Sequence, residues 1–224
     1  MTRPLMLFAA GFGTRMGALT QDRPKPLIEV AGRALIDHAL DLANAAKTPR
    51  IVVNAHYKAD QIATHLEMTD VILSHETRIR ETGGGLKQAL PLLGTGPVMT
   101  MNSDAVWRGP NPVTLLQDAW DDAKMDALLL CIPTDQARGH LGSGDFTLAA
   151  TGQLTRGPGL IYSGVQILRT DDLADFEDQS FSLNVVWDRM QARGRLFGLT
   201  YPGLWCDVGR PENIALAEAM VSDV

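Results

Sequence analysis

Over the first 132 residues, short apolar runs alternate with stretches whose apolar residues recur at the helical period, and this alternation constrains the fold more than any other feature of the chain. Leu5–Ala10, Ile51–Asn54, Val71–Leu73, Pro97–Met101 and Ala127–Ile132 read as buried strands, while Ala34–Ala46, Ala59–Leu66, Leu86–Leu90 and Leu115–Asp122 read as helices. Strand–helix alternation of this kind builds a parallel sheet covered on both faces. Ligands of such sheets bind beyond the carboxyl ends of the strands. The remainder is less regular. A hairpin is expected from Gly142–Leu148 and Gly152–Thr155, then a long strand Leu160–Leu168 with a mid-strand glycine, a helix Leu183–Ala192, a strand Leu196–Tyr201 and a final helix opened by Arg210-Pro211-Glu212. With no linker or repeat between them, residues 1–132 and 133–224 read as halves of one domain, 1–224.

The first strand runs into Gly11-Phe-Gly13-Thr-Arg15-Met16, followed by Arg23-Pro-Lys25-Pro-Leu27. Glycines let backbone approach a ligand closely, and the N–H groups of such a turn suit phosphate oxygens. Arg15 can fork onto phosphate; Lys25, stiffened by Pro24 and Pro26, can place a point charge. Together these residues point to a polyphosphate site. A dinucleotide fingerprint would place its third glycine at Met16, which argues against a nicotinamide-dependent oxidoreductase.

A net charge of −6 speaks against a general nucleic-acid or membrane-surface binder, but not against a small anionic substrate held by local cations. No apolar run reaches the roughly 20 residues needed to cross a bilayer. Cys131 and Cys206 have no metal spacing and read as buried small residues, and Leu5–Ala10 is too short for a signal h-region, so a reducing cytoplasm is the expected location. No histidine has zinc or triad spacing, and the four tryptophans read as packing residues.

Asp104 ends a strand that is otherwise apolar, and Asp207 sits between Cys206 and Val208 before a glycine and a helix. Each alone reads as a turn residue or helix cap; facing one site, the two would suit Mg²⁺, which takes hard oxygen ligands. Glu81-Thr-Gly83-Gly84-Gly85 reads as a glycine turn, either a flexible loop or a surface flat against a base or ribose. Asn102 and Asp145 can hydrogen-bond sugar hydroxyls or simply be surface polar residues.

Leu7–Met16 with Arg23–Leu27, then Glu81–Gly85, Asn102-Ser103-Asp104, Gly142-Ser-Gly-Asp145-Phe146, Tyr162-Ser-Gly-Val165 and Trp205-Cys-Asp207-Val-Gly209, resemble in this order the sugar-1-phosphate nucleotidyltransferase family over nearly the whole chain. The Glu-Thr-Gly-Gly-Gly and Gly-Asp-Phe segments are similar to its short bacterial uridylyltransferases of cell-wall sugar recycling. The resemblance implies an α/β, Rossmann-like three-layer fold with a mostly parallel central sheet and a small β-rich sugar-binding lobe. It also implies Mg²⁺-dependent transfer of a uridylyl group from UTP to a sugar 1-phosphate, N-acetylmuramate 1-phosphate foremost, by a monomer or small homo-oligomer. Carried over by motif, Ala9, Ala10, Gly11, Gly13, Arg15 and Lys25 would contact the triphosphate, with Arg15 and Lys25 catalytic. Gly84 and Gly85 would lie near the base, Asn102 and Asp145 would hold the sugar phosphate, and Asp104 and Asp207 would hold the metal. The family commonly has Asn-Gly-Asp at Asn102-Ser103-Asp104 and Pro-Leu-Thr at Ala18-Leu-Thr20. Other sugar phosphates (glucose, mannose or N-acetylglucosamine 1-phosphate), another base, or a non-catalytic nucleotide-binding subunit are the alternatives.

Overall fold

The computed structural model describes residues 2–222. In chain order its elements are β1 (Leu5–Phe8), β2 (Glu29–Val30), β3 (Arg33–Ala34), α1 (Leu35–Ala45), β4 (Ile51–Ala55), α2 (Ala59–Leu66), β5 (Ile72–His75), α3 (Glu81–Leu93), β6 (Val98–Asn102) and β7 (Ala105–Arg108). There follow α4 (Pro112–Ala119), β8 (Ala127–Pro133), β9 (Ala137–Arg138), β10 (Phe146–Leu148), β11 (Leu154–Arg156), β12 (Leu160–Leu168), α5 (Asn184–Ala192), β13 (Leu196–Thr200), β14 (Leu204–Asp207) and α6 (Glu212–Ser222).

The central sheet runs β11-β10-β12-β6-β1-β4-β5, with β8 beside β12 and β13 beside β8. β1 is parallel to both β4 and β6, and β4 to β5. β12 reverses, antiparallel to β6 and β8, while β13 is parallel to β8. The sheet is therefore mostly parallel in strand direction, and the loops after β1, β4, β5 and β6 open on one edge.

Alternate side chains of β1 enter opposite layers, as strand geometry requires. Leu5 and Leu7 join α1, α2 and α4 in one core; Met6 joins α3 and α5 in the other. A third cluster places α6 against a small sheet, β7-β14-β9, through Val106, Cys206, Ala217 and Met220.

Where the boundaries differ from expectation, the cause is local. α4 begins at Pro112 rather than Leu115, because Asn111 caps it: its side-chain oxygen accepts from Val113 N at 2.9 Å and Thr114 N at 3.2 Å. Glu81–Gly85 is not a turn but the first turn of α3. Its glycines are small because other chain crosses them. A Cβ on Gly83 would strike the Phe181 ring, one on Gly84 the carbonyl of Gln179, and one on Gly85 would sit 2.6 Å from Glu76 Oε1. Gly164, in the middle of β12 at φ +90°, makes room for the side chain of Asn102, 2.8 Å from where its Cβ would lie. It falls where β12 shifts register against β8, between Tyr162 and Gln166.

Candidate active site

The carboxyl edge of β1, β4 and β6 carries a cavity of about 310 Å³. Its floor is the end of β1 and the turn that follows. Ala9 and Ala10 are buried there, and Gly13 at φ +65° turns the chain into a 3-10 segment, Thr14–Thr20. A Cβ on Gly13 would lie 2.9 Å from Lys25 Cβ and from Thr20 Cγ2, so this glycine is what lets the Lys25 segment close over the turn. Thr20 Oγ1 donates to the Gly13 carbonyl at 3.1 Å and fixes the turn from within.

Residues from two neighbouring strands lock this floor. Ala9 N donates to Asn54 Oδ1 at 2.8 Å, and Asn54 Nδ2 donates to Glu76 Oε1 at 2.7 Å. The second oxygen of Glu76 accepts from Arg80 N at 3.1 Å. Asn54 and Glu76 are both buried, and both face the cavity. Glu76 was missed in the sequence; the signal that could have found it is an acid placed just past the end of an apolar strand. Ser103 replaces the glycine common in the family and adds a bond within the protein: its hydroxyl donates to the Phe8 carbonyl at 2.7 Å.

Lys25, at only 9% exposure, donates from Nζ to Asp104 Oδ2 at 2.6 Å. Asp104 precedes β7, and β14 pairs antiparallel with β7 so that Asp207 stands opposite Ala105. Val208 N donates to the Asp104 carbonyl at 2.8 Å and completes the juxtaposition. Two carboxylates more than a hundred residues apart are thus brought together by one pair of strands that the sequence pattern did not reveal. Burial, and then the negative charge of Asp104, push the Asp207 carboxyl above the usual carboxylate range; Lys25, Arg15 and His140 act the other way. Arg15 is exposed and lines the cavity, its Nη2 3.3 Å from where a Cβ on Gly209 would lie.

The donor set fits a small hard cation. Asp104 and Asp207 could supply oxygen ligands, and among the described residues no cluster of three or more His, Cys, Asp and Glu forms a self-sufficient metal cage. A pair of facing carboxylates needing further oxygen ligands matches Mg²⁺, which completes its octahedron with phosphate oxygens and water.

A second cavity of about 250 Å³ adjoins the first, and the two share Phe8, Thr82 and Asn102. Asp145 lines it, with one oxygen, Oδ2, accepting from Tyr162 N at 2.8 Å. Trp187 and Tyr162 form its apolar wall, their rings 4.8 Å apart and nearly perpendicular. Trp187 Nε1 donates to buried Gln166 Oε1 at 2.8 Å.

Ala9, Ala10, Gly11, Gly13, Arg15, Lys25, Asn102 and Asp104 therefore converge on the first cavity, and Asn102 and Asp145 on the second. Asp207 lines neither, though Gly209, beside its carboxylate, lines the first; Gly84 and Gly85 line neither as well. Their place is the packed contact of α3 with Gln179 and Glu76, and the cavity is reached instead by Glu81 and Thr82 at the start of the helix. Glu81 has φ +55°, a left-handed conformation that costs a non-glycine residue free energy.

A glycine turn with two cations, a facing carboxylate pair and an adjoining polar–aromatic pocket define a site for joining a nucleotide to a second phosphorylated compound. The chain matches the MobA-like NTP transferase domain over residues 5–156 and belongs to that family. It is 42% identical, over 97% of its own length and 96% of the relative's, to the N-acetylmuramate alpha-1-phosphate uridylyltransferase of Caulobacter vibrioides. It is 31% identical to the enzyme of the same name from Neisseria meningitidis serogroup B, over 96% of both chains. Among solved structures it is similar to HddC from Yersinia pseudotuberculosis complexed with GMP-PN, with a TM-score of 0.81, 20% identity, and coverage of 97% of this chain and 99% of that one; this likeness bears on the fold.

Proposed function

We propose that this chain transfers the uridylyl group of UTP to N-acetylmuramate 1-phosphate, giving UDP-N-acetylmuramate and pyrophosphate, as a cytoplasmic step in the reuse of cell-wall sugars. The observation that carries the reading is the pair of cavities sharing Asn102: a phosphate-binding turn opens on one side and a pocket for a sugar on the other, with Asp104 lining the first. The two uridylyltransferases alike over nearly their whole lengths support the choice of base and sugar.

The triphosphate lies on the Gly11–Gly13 turn, whose backbone N–H groups donate to no other backbone group among the described residues and can donate to its oxygens. Lys25 and Arg15 stand over the turn and offset charge on the transferring group and on the departing pyrophosphate. Asn102, held by the gap at Gly164, and Asp145 orient the sugar phosphate. The attacking phosphate oxygen is already an anion. It forms a bond to the α-phosphorus as the bond to the pyrophosphate oxygen breaks, and no proton has to move. Asp104 and Asp207 would hold Mg²⁺, which when bound neutralises the facing phosphates.

Pyrophosphate release with UTP measured against N-acetylmuramate, N-acetylglucosamine, glucose and mannose 1-phosphates tests the reading. The expected result is preference for the first; turnover that prefers another sugar phosphate, or another triphosphate, overturns it.

A further inference from the structure

The second cavity holds a cation that the transfer step above does not use. Arg156 is the one lysine or arginine among the described residues lining it, and it does not line the first cavity, where Arg15 and Lys25 stand. Its guanidinium is held as a fixed plate. Cζ lies 4.8 Å from the centre of the Phe146 ring and 5.4 Å from that of Trp187. Nε and Nη2 each donate to Asp188 Oδ1 at 3.1 Å, and Nη2 also reaches the Asn184 carbonyl at 3.2 Å and its side-chain oxygen at 3.0 Å. These bonds occupy one edge of the fork, and Nη1 makes no hydrogen bond among the described residues. The side chain is 36% exposed, and Ser182, Leu183 and Asn184, at the positive end of α5, line the same cavity.

We propose that Arg156 reads a carboxylate on the sugar, and so is the residue that separates N-acetylmuramate 1-phosphate from N-acetylglucosamine 1-phosphate. The proposal rests on the uridylyltransferase reading above. N-acetylmuramate is N-acetylglucosamine with a lactyl ether, which adds a second anionic centre away from the phosphate. The phosphate belongs beside Asn102 and Asp104, so the remote part of the sugar enters the second cavity, where the free edge of Arg156 is the cation it meets. A guanidinium pinned on aromatic faces presents planar donors suited to a carboxylate. Asp188 already offsets part of its charge, so the discrimination is that of one charge-assisted hydrogen bond, about 10- to 100-fold.

The test is pyrophosphate release by the wild type and by Arg156→Gln with three acceptors: N-acetylmuramate 1-phosphate, its lactyl methyl ester and N-acetylglucosamine 1-phosphate. The wild type is expected to show a KM about 10- to 100-fold higher for the ester than for the acid. Arg156→Gln is expected to raise the KM for the acid to the level of the ester while leaving the ester, N-acetylglucosamine 1-phosphate and UTP within about twofold, the non-additivity that marks a direct pair. A residue that merely braced β11 against α5 would lower the melting temperature and raise every KM alike, and that result overturns the proposal. So does a wild type that uses ester and acid equally, a comparison that needs no variant to fold. A wild type that prefers N-acetylglucosamine 1-phosphate overturns the N-acetylmuramate reading on which the proposal rests, an outcome distinct from equal losses in the variant.

Discussion

Replacing Lys25 with methionine separates catalysis from stability, because the lysine contributes very differently to the two. Its Nζ is 2.6 Å from Asp104 Oδ2, with side-chain exposures of 11% and 29%. Coulomb attraction at that distance is about 6 kcal/mol at an effective dielectric of 20 and about 1.6 kcal/mol in water. Desolvating the ammonium and ordering its stem offset most of it, so the net loss of stability lies near 1 kcal/mol, at the upper end for partly exposed pairs. For a domain of this size that is a fall of about 2–4 °C in melting temperature. The same lysine is expected to face the α- and β-phosphates, and removing one preorganised donor from a transition state costs about 10²–10³ in kcat, or about 3–4 kcal/mol. Lys25→Met should thus melt a few degrees early and lose at least a hundredfold in pyrophosphate release. Adding Asp104→Asn removes the orphaned carboxylate and should recover part of the stability and none of the turnover. A folded Lys25→Met enzyme within tenfold of wild-type kcat would refute the assignment of this lysine to the reaction, whatever its melting temperature.

Asp104→Ala is expected to fold and to be inactive at any Mg²⁺ concentration; turnover near the wild-type level would remove Asp104 from the metal pair. Gly84→Ala sets a gain in helix propensity of about 1 kcal/mol against a Cβ driven into the Gln179 carbonyl, a backbone atom that cannot step aside. The clash should win by about 1–2 kcal/mol in urea unfolding, with the KM for UTP little changed; an unchanged stability and a raised KM would instead make Gly84 a nucleotide contact. Ser103→Ala forfeits the bond to the Phe8 carbonyl and should cost about 1 kcal/mol, read as a lower denaturant midpoint. Burial pushes the thiols of Cys131 and Cys206 up to about 12 and about 11. Because the folded state then holds these protons more tightly than the unfolded chain, stability should decline as pH rises above the ordinary thiol range, and a thiol reagent at pH 8 should titrate both cysteines only after unfolding.

What could be read from the sequence, and what could not, divides along the range of the forces involved. β12 was placed to the residue, because nine residues of mostly apolar chain bounded by glycine and arginine carry their own signal. The glycine turn with Arg15 and Lys25 was legible because its parts lie within fifteen residues of one another. The glycines of α3 misled for the opposite reason. Three glycines in a row are a local signal for a turn, yet the smallness of Gly83 and Gly84 answers Phe181 and Gln179, about a hundred residues away, that of Gly85 answers Glu76, and helix packing overrode propensity. The Asn54–Glu76 brace behind Ala9 escaped for the same cause, since it joins strand ends that only the parallel order β1-β4-β5 makes neighbours. The aspartate pair proposed to hold the metal falls between these cases. Asp104 is visible as an acid ending an apolar strand and Asp207 as an acid before a glycine and a helix, but their convergence depends on β7 and β14, strands of four residues each with no periodic pattern to declare them. The resemblance to a family supplied the pairing, and the register of those two strands supplies its physical reason. By the same logic the residues hardest to find in sequence are those that choose the sugar. Arg156 closes the hairpin strand β11 and is oriented by α5 and by Phe146 of β10, so its role is visible only where Phe146, Asn184, Trp187 and Asp188 come together around it.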